Sequence, residues 1–293
     1  MRIYNLGSLN IDYVYQVPHF VRPGETLSSR EMNIFPGGKG LNQSAALGKA
    51  GAEVIHGGLL NENDGWLIEV LRDAHVDTSR IRTLHQPTGH AIIQVDENGQ
   101  NCILLYPGAN RLFTPEYAEK LLEDARPGDL LLLQNEINCL DVIFETAHAR
   151  RMQLVFNPSP FCKSLMELPL SYVNWWILNE VEGAELTGLQ EPGEISDAVI
   201  ETFPESNLVL TLGRNGSCFQ NSARRLHVPA VPVNAVDTTA AGDTFTGYFL
   251  AMIARGAEVR TALQRASLAA SIAVSRRGAA CSIPWSHEVP AAP

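Results

Sequence analysis

The pattern of hydrophobic and polar positions divides this chain into two kinds of segment. From about residue 115 onward, helical periodicity alternates with short runs that are apolar throughout. Glu116 to Ala125 reads as a helix, Asp129 to Gln134 as a strand, Leu140 to Arg151 as a helix and Gln153 to Asn157 as a strand. Trp175 to Asn179 and Leu208 to Leu212 continue the strand series, and Arg2 to Gly7 predicts a first strand. Apolar strands separated by helices predict a parallel sheet covered on both faces, since such strands have no side that tolerates water. Right-handed crossovers then gather the strand C-terminal ends along one edge, the usual place for ligands.

Residues 12–36 and 88–107 are richer in alternation. Tyr13 to Val17 is one such run; Ala91 to Val95 is another, meeting a turn at Asp96-Glu97-Asn98-Gly99 and returning as Asn101 to Tyr106. Asn-Gly between alternating runs is a hairpin signal. These segments predict a small antiparallel sheet standing off the main body, with an apolar face needing cover from substrate, a partner chain or both.

Composition narrows the partners. The chain has 293 residues, 45% of them hydrophobic, and a formal net charge of −10. That balance argues against a nucleic-acid partner, whose phosphates select basic stripes. No apolar run approaches the roughly 18 residues of a membrane span, and no basic leader precedes the first strand, so no signal peptide and a cytoplasmic location are expected. Cys102, Cys139, Cys162, Cys218 and Cys281 lie far apart with no C-x-x-C pair, which predicts buried or semi-buried free thiols in a reducing compartment.

The chemistry concentrates in a few short stretches. Val236 to Gly247 precedes an apolar helical run from Tyr248 to Ala254. The small residues Ala240, Ala241 and Gly242 let backbone N–H groups approach an anion where a helix begins, and Asp243 stands ready there as an ionised base. A helix start after a turn, with Asp243 as a first-turn carboxylate, reads the same residues without chemistry. Pro36 to Gln43 is a second glycine cluster leading into an alanine-rich helix; it lacks the P-loop spacing. Gly37-Gly38 can expose backbone donors, and Lys39 and Asn42 are one helical turn apart. A glycine turn with a solvated lysine is the alternative. Asn10 and Asp12 fall on one strand face, an amide and a carboxylate suited to vicinal hydroxyls. Asn179 to Glu182 ends a strand and starts a helix, where Glu182 can position a hydrated Mg²⁺. Thr211 to Gly216 is a glycine turn after a strand, suited to phosphate or adenine and equally to a hairpin.

Together these motifs resemble, in order and over nearly the whole chain, the ribokinase family of sugar and nucleoside kinases. The resemblance adds Gly7 to Asp12, Pro23 to Thr26, Pro107 to Asn110 and Arg277 to Pro284 to the stretches above. It implies an α/β fold, a ribokinase-like three-layer sandwich with a mostly parallel central sheet and a small antiparallel β lid, in a single kinase domain over 1–293 whose lid segments are 12–36 and 88–107. It also implies an ATP-dependent sugar kinase with Asp243 as base and the backbone of Ala240, Ala241 and Gly242 as anion hole. Asn10, Asp12, Gly38, Lys39, Asn42 and Glu136 then correspond to sugar-binding positions, Asn179, Thr211, Gly213, Gly216 and Gly242 to nucleotide contacts, and Glu182 to the magnesium-associated acid. Asp237, Thr239, Ala273, Arg276, Gly278 and Ser282 correspond to a monovalent-cation site, usually K⁺, several of them through backbone carbonyls. A homodimer through the lid is expected.

The complete sugar set favours a neutral pentose, D-ribose first. Deoxyribose, fructose, a sugar phosphate or a nucleoside stacked on Tyr13, Tyr15, Phe35 or Tyr106 are the alternatives, and a sugar-binding regulator without turnover is the reading outside enzymes. Departures from the family pattern are Tyr248 after Gly247, Leu178 before Asn179, Leu41 in the sugar loop and His90 in the lid. The last two are expected to bear on which sugar fits.

Overall fold

The computed structural model describes residues 1–291. Its elements run β1 (Ile3–Leu6), β2 (Asn10–Gln16), β3 (Glu31–Gly37), α1 (Lys39–Lys49), β4 (Val54–Asn61), α2 (Trp66–Asp73) and β5 (Asp77–Leu84). Next come β6 (Gly89–Val95), β7 (Asn101–Tyr106), α3 (Pro115–Leu121), β8 (Leu130–Gln134), α4 (Leu140–Ala149) and β9 (Gln153–Asn157). Then follow β10 (Val173–Asn179), α5 (Glu180–Thr187), α6 (Pro192–Thr202), β11 (Asn207–Thr211), β12 (Ser217–Gln220) and β13 (Arg225–Val228). Two long helices, α7 (Ala241–Ala254) and α8 (Val259–Val274), close the series. Every strand expected from an all-apolar run is present within two residues of its expected bounds.

The main sheet has nine strands in the order β13-β12-β11-β10-β9-β8-β1-β4-β5. From β11 to β5 all neighbours are parallel, and β12 and β13 add an antiparallel edge. Alternation along each strand sends side chains to two separate cores. Ile3, Leu130, Leu132 and Ile177 pack with α1, α2, α7 and α8 on one face. Tyr4, Leu131, Leu133 and Trp176 pack with α3, α4 and α6 on the other. The all-apolar strands thus carry a three-layer α/β sandwich, as expected. Among the described residues no helix is long and apolar enough to cross a membrane.

A second, four-stranded sheet has the order β3-β2-β6-β7. It stands where the alternating segments lie, but its pairing is mixed: β2 is antiparallel to β3 and β6 to β7, while β2 and β6 run parallel. The cause is where these two strands leave the main sheet. β2 follows β1 and β6 follows β5, so both depart from C-terminal ends of parallel strands and head the same way, with Asn10 beside Gly89. The expected hairpin at Asn98-Gly99 joins β6 to β7, Gly99 taking φ 75°. Ile34, Ile92 and Leu104 lie in one cross-strand row with Tyr13 and are all exposed, leaving an uncovered apolar strip.

The cysteines differ from expectation in burial. All five are unpaired, but Cys102, Cys162 and Cys281 are exposed. Cys102 sits on the outer strand β7 and the other two in loops, where no second layer covers them.

Candidate active site

The candidate residues gather at the C-terminal ends of β1, β8, β9, β10 and β11 and on β2 and β3 of the second sheet. α7 supplies their centre. The helix starts at Ala241 with no side-chain cap, and Ala240 before it is held at φ 58°, a left-handed backbone that costs alanine about 1 kcal/mol. The turn directs the Ala241 N–H to Thr238 O at 3.2 Å, whereas Thr244 N–H returns to Ala240 O. Among the described residues, the N–H groups of Gly242 and Asp243 have no partner. The Ala240 N–H is likewise unpartnered, so of the three expected donors Ala240 and Gly242 are free and Ala241 is engaged by Thr238, with Asp243 adding a further free N–H.

Asp243 is only 8% exposed, and both its oxygens accept from side-chain amides of α1. Asn42 Nδ2 reaches Oδ2 at 3.2 Å and Gln43 Nε2 reaches Oδ1 at 2.9 Å. α1 is aimed at the base because its N-terminus is clamped. Glu136, two residues beyond β8, accepts from the Lys39 N–H at 2.9 Å and from the Ser8 hydroxyl, while Leu41 N–H donates to Ser8 O at 2.9 Å.

Asp12 lies opposite. Gly37 lies two residues beyond its pairing partner Phe35 on β3, and a Cβ there would stand 2.2 Å from the Asp12 carboxyl, so only glycine leaves the carboxylate its place. Burial pushes the Asp12 carboxyl up to about 6, and the charges of Glu136 and Asp243 add to that rise. Burial alone would depress Lys39, but Asp243, Glu136 and Glu182 outweigh it and hold the ammonium above its ordinary range. One lysine is therefore set among three carboxylates. Asn10 is buried, its Oδ1 accepting from Asn110 Nδ2 at 2.7 Å, and Asn110 also receives the Leu9 N–H.

At the C-terminal end of β10, Asn179 and Glu182 cap α5 reciprocally: Glu182 N–H donates to Asn179 Oδ1 at 2.8 Å and Asn179 N–H to Glu182 Oε2 at 3.0 Å. Thr211 closes β11, and Gly213 lies exposed in the short turn into β12. Gly216 ends that turn at φ 95°, where a Cβ would meet Val228 O at 2.1 Å. The turn is thus a hairpin as well as an open glycine edge. Among the described residues no cluster of three or more His, Cys, Asp or Glu can hold a metal ion. Glu182 is a single buried carboxylate, a set that suits an ion keeping its own waters.

Beside α7, Asp237 joins two loops: Oδ1 accepts from Thr239 N–H and Oδ2 from Gly278 N–H, both at 2.9 Å. Burial opposes ionisation there, yet these hydrogen bonds hold its carboxyl below the usual range. Ala273 and Ser282 are buried alongside, and the Arg276 guanidinium turns away to Glu288 at 2.7 Å. Arg277 keeps a positive charge close to Asp237, so the group beside Gly278 is one hydrogen-bonded carboxylate with a guanidinium near it.

The model of the pfkB family of carbohydrate kinases matches residues 2–286. The chain belongs to that family. It is 35% identical to a ribokinase of Staphylococcus aureus, over 97% of both chains. It is 30% identical to a deoxyribokinase of Salmonella typhi, over 97% of this chain and 96% of that one. A solved ribokinase of Arabidopsis thaliana, complexed with ribose and ATP, superposes with a TM-score of 0.84 at 26% identity, over 98% of this chain and 96% of that one. The protein is an ATP-dependent sugar kinase with the ribokinase fold.

Within this kinase the four departures resolve differently. Tyr248 is buried in the α7 layer and its hydroxyl donates to Pro284 O at 2.7 Å, so it fastens the C-terminal segment. Leu178 is a core side chain of β10. Leu41 is fully buried in the other core, among the side chains of α1 and α7. His90 pairs with Ile11 on the lid face opposite Asp12 and packs on Tyr106, ring centroids 5.0 Å apart, which removes it from the sugar face. Tyr13 and Tyr15 share that opposite face.

Proposed function

We propose that this kinase transfers the γ-phosphoryl group of ATP to the primary hydroxyl of a neutral pentose, most directly D-ribose, giving ribose 5-phosphate. One observation carries the reading: the Asp243 carboxylate stands beside the unpartnered N–H donors of α7 and is bonded by Asn42 of the sugar loop. Asp243 takes the hydroxyl proton, the freed oxygen attacks the γ-phosphorus, and the bond to the bridging oxygen of ADP breaks. The N–H groups of Gly242 and Asp243, helped by the preceding turn at Ala240 and Ala241, receive the charge that builds on the phosphoryl oxygens.

Asn10, Asp12, Gly38, Lys39, Asn42 and Glu136 hold the sugar in this reading. Asn179, Thr211, Gly213 and Gly216 contact the nucleotide, and Gly242 serves both sides. Glu182 would hold Mg²⁺, which supplies charge neutralisation on the phosphates when bound. Asp237, with carbonyls drawn from Thr239, Ala273, Arg276, Gly278 and Ser282, would hold K⁺. The chain acts as one kinase domain, with 12–36 and 88–107 as its lid. The exposed strip of Ile34, Ile92 and Leu104 supports a homodimer through that lid.

Charge supports a neutral acceptor. Asp12 and Glu136 crowd the sugar side, residues 88–107 contain neither Lys nor Arg, and Arg30 of the other lid segment pairs with Glu97. A sugar phosphate meets repulsion there. Tyr13, Tyr15 and Tyr106 lie on the sheet face away from Asp12, which leaves Phe35, paired with Asp12, as the one aromatic of the four on the Asp12 face for a nucleoside base. The names of the ribokinase relatives agree with ribose.

An ADP-release assay with ribose, 2-deoxyribose, fructose, nucleosides and sugar phosphates tests the choice. Ribose is expected to give the highest kcat/KM, above deoxyribose by roughly tenfold to a hundredfold, the worth of one hydrogen bond to a charged group. Deoxyribose at or above ribose overturns the pentose assignment. Sugar binding by calorimetry with no turnover on any of them indicates a regulator.

A further inference from the structure

Gln43 follows the sugar-loop residue Asn42, is fully buried, and uses its whole amide on other polar side chains. Its Nε2 donates to Asp243 Oδ1 at 2.9 Å and to Asn157 Oδ1 at 3.0 Å, while its Oε1 accepts from Gln134 Nε2 at 2.6 Å. Gln134 Nε2 also donates to Asn5 Oδ1 at 3.0 Å, and Asn5 Nδ2 donates to Ser44 Oγ at 2.8 Å. On the other side, Asn157 Nδ2 donates to Glu182 Oε2 at 3.2 Å. A line of buried amides therefore links the carboxylate on α7 with Glu182 on the nucleotide side.

The arrangement allows Gln43 one orientation. Turning its amide over would set Oε1 against the Asp243 carboxylate and against Asn157 Oδ1, and would aim its NH₂ at the Gln134 NH₂. The line does not carry a proton away. It ends beyond Ser44 at His56, whose ring burial holds neutral, and amides are poor proton carriers. What Gln43 fixes is the rotation of the carboxylate.

Resting on Asp243 as the base proposed above, we infer that Gln43 is a positioning residue. It anchors Oδ1 by the shorter of the two amide bonds, while Oδ2, which accepts the 3.2 Å bond from Asn42, keeps a second lone pair for the substrate proton. An unanchored carboxylate turns about its side-chain bonds, and misplacement of a reacting group by about 1 Å costs on the order of a hundredfold in rate.

Three variants test this by steady-state kinetics, calorimetry and thermal melting, with whichever sugar the parent turns over fastest. Gln43→Leu keeps the volume and removes the donor. It is expected to lower kcat by about tenfold to a hundredfold, with sugar Kd and both KM values within about threefold of the parent. Ser44→Ala breaks the same amide line away from the carboxylate; it is expected to lower Tm while leaving kcat within about twofold. Gln43→Glu supplies a donor only when its carboxyl is protonated, so its kcat relative to the parent is expected to fall as pH rises; this variant decides the matter if Gln43→Leu does not fold. A kcat for Gln43→Leu within about threefold of the parent, an equal loss in Ser44→Ala, or a pH-independent ratio for Gln43→Glu overturns the inference. If Asp243→Asn remains active, the base assignment has failed instead; if that variant is dead and Gln43→Leu is normal, only this inference fails.

Discussion

Asn42 Nδ2 lies 3.2 Å from Asp243 Oδ2, across 201 residues of sequence. The contact joins the loop expected to hold the sugar with the carboxylate expected to activate it, so the acceptor hydroxyl and its base share one buried surface. α1 and α7 pack side by side beneath it in one core, which fixes that relationship by helix packing rather than by a mobile loop.

Asp12 is expected to make sugar binding sensitive to pH. Burial first, then Glu136 and Asp243, raise its carboxyl to about 6, against about 3.9 for an unfolded aspartate. Between those values the folded protein holds the extra proton, so Asp12 lowers stability as pH rises through that window. Sugar hydroxyls that donate to the ionised form act oppositely, so affinity is expected to rise with pH up to about 6 and level off above it. Calorimetry on either side of that value checks this. Asp12→Asn is expected to bind weakly and without the pH dependence, and a parent affinity flat in pH would contradict an anionic Asp12 in the site.

Asp237 motivates a salt test. Its two oxygens tie the Thr239 and Gly278 loops beside the helix start of Asp243. Activity is expected to be higher in K⁺ than in Na⁺ at constant ionic strength, and Asp237→Asn is expected to lose most of the difference. Equal parent rates in the two salts would contradict the cation assignment.

Tyr248→Phe separates stability from catalysis. Removing the hydroxyl leaves the buried Pro284 carbonyl without its donor, at a cost of about 1–3 kcal/mol. Tm is expected to fall by several degrees with kcat essentially unchanged. An unchanged Tm would show that this hydrogen bond does not hold the C-terminal segment.

Much of this was legible in the sequence because it is local. The all-apolar runs at 130–134 and 153–157 announce buried parallel strands. Asn179 to Glu182 announces the end of a strand and the start of a helix, and the small residues before Asp243 announce an open helix start. What the sequence withheld is held by distant pairings. The amide contacts of Gln43 with Gln134 and Asn157 span 91 and 114 residues, and no periodicity marks an amide that will be buried. The parallel pairing of β2 with β6 depends on which end of the main sheet each leaves. Leu41 and His90 stood in the right segments, but burial and strand alternation decide which way each points.

The central claim is that Asp243 is the base. Asp243→Asn keeps the size and the polar contacts of the side chain while removing its ability to take a proton. Single-turnover phosphoryl transfer, measured beside sugar affinity and thermal melting, tests it most directly. The expected result is a folded protein that binds sugar nearly as the parent does and transfers no measurable phosphoryl group. Retention of more than a few per cent of the parent rate would contradict the account.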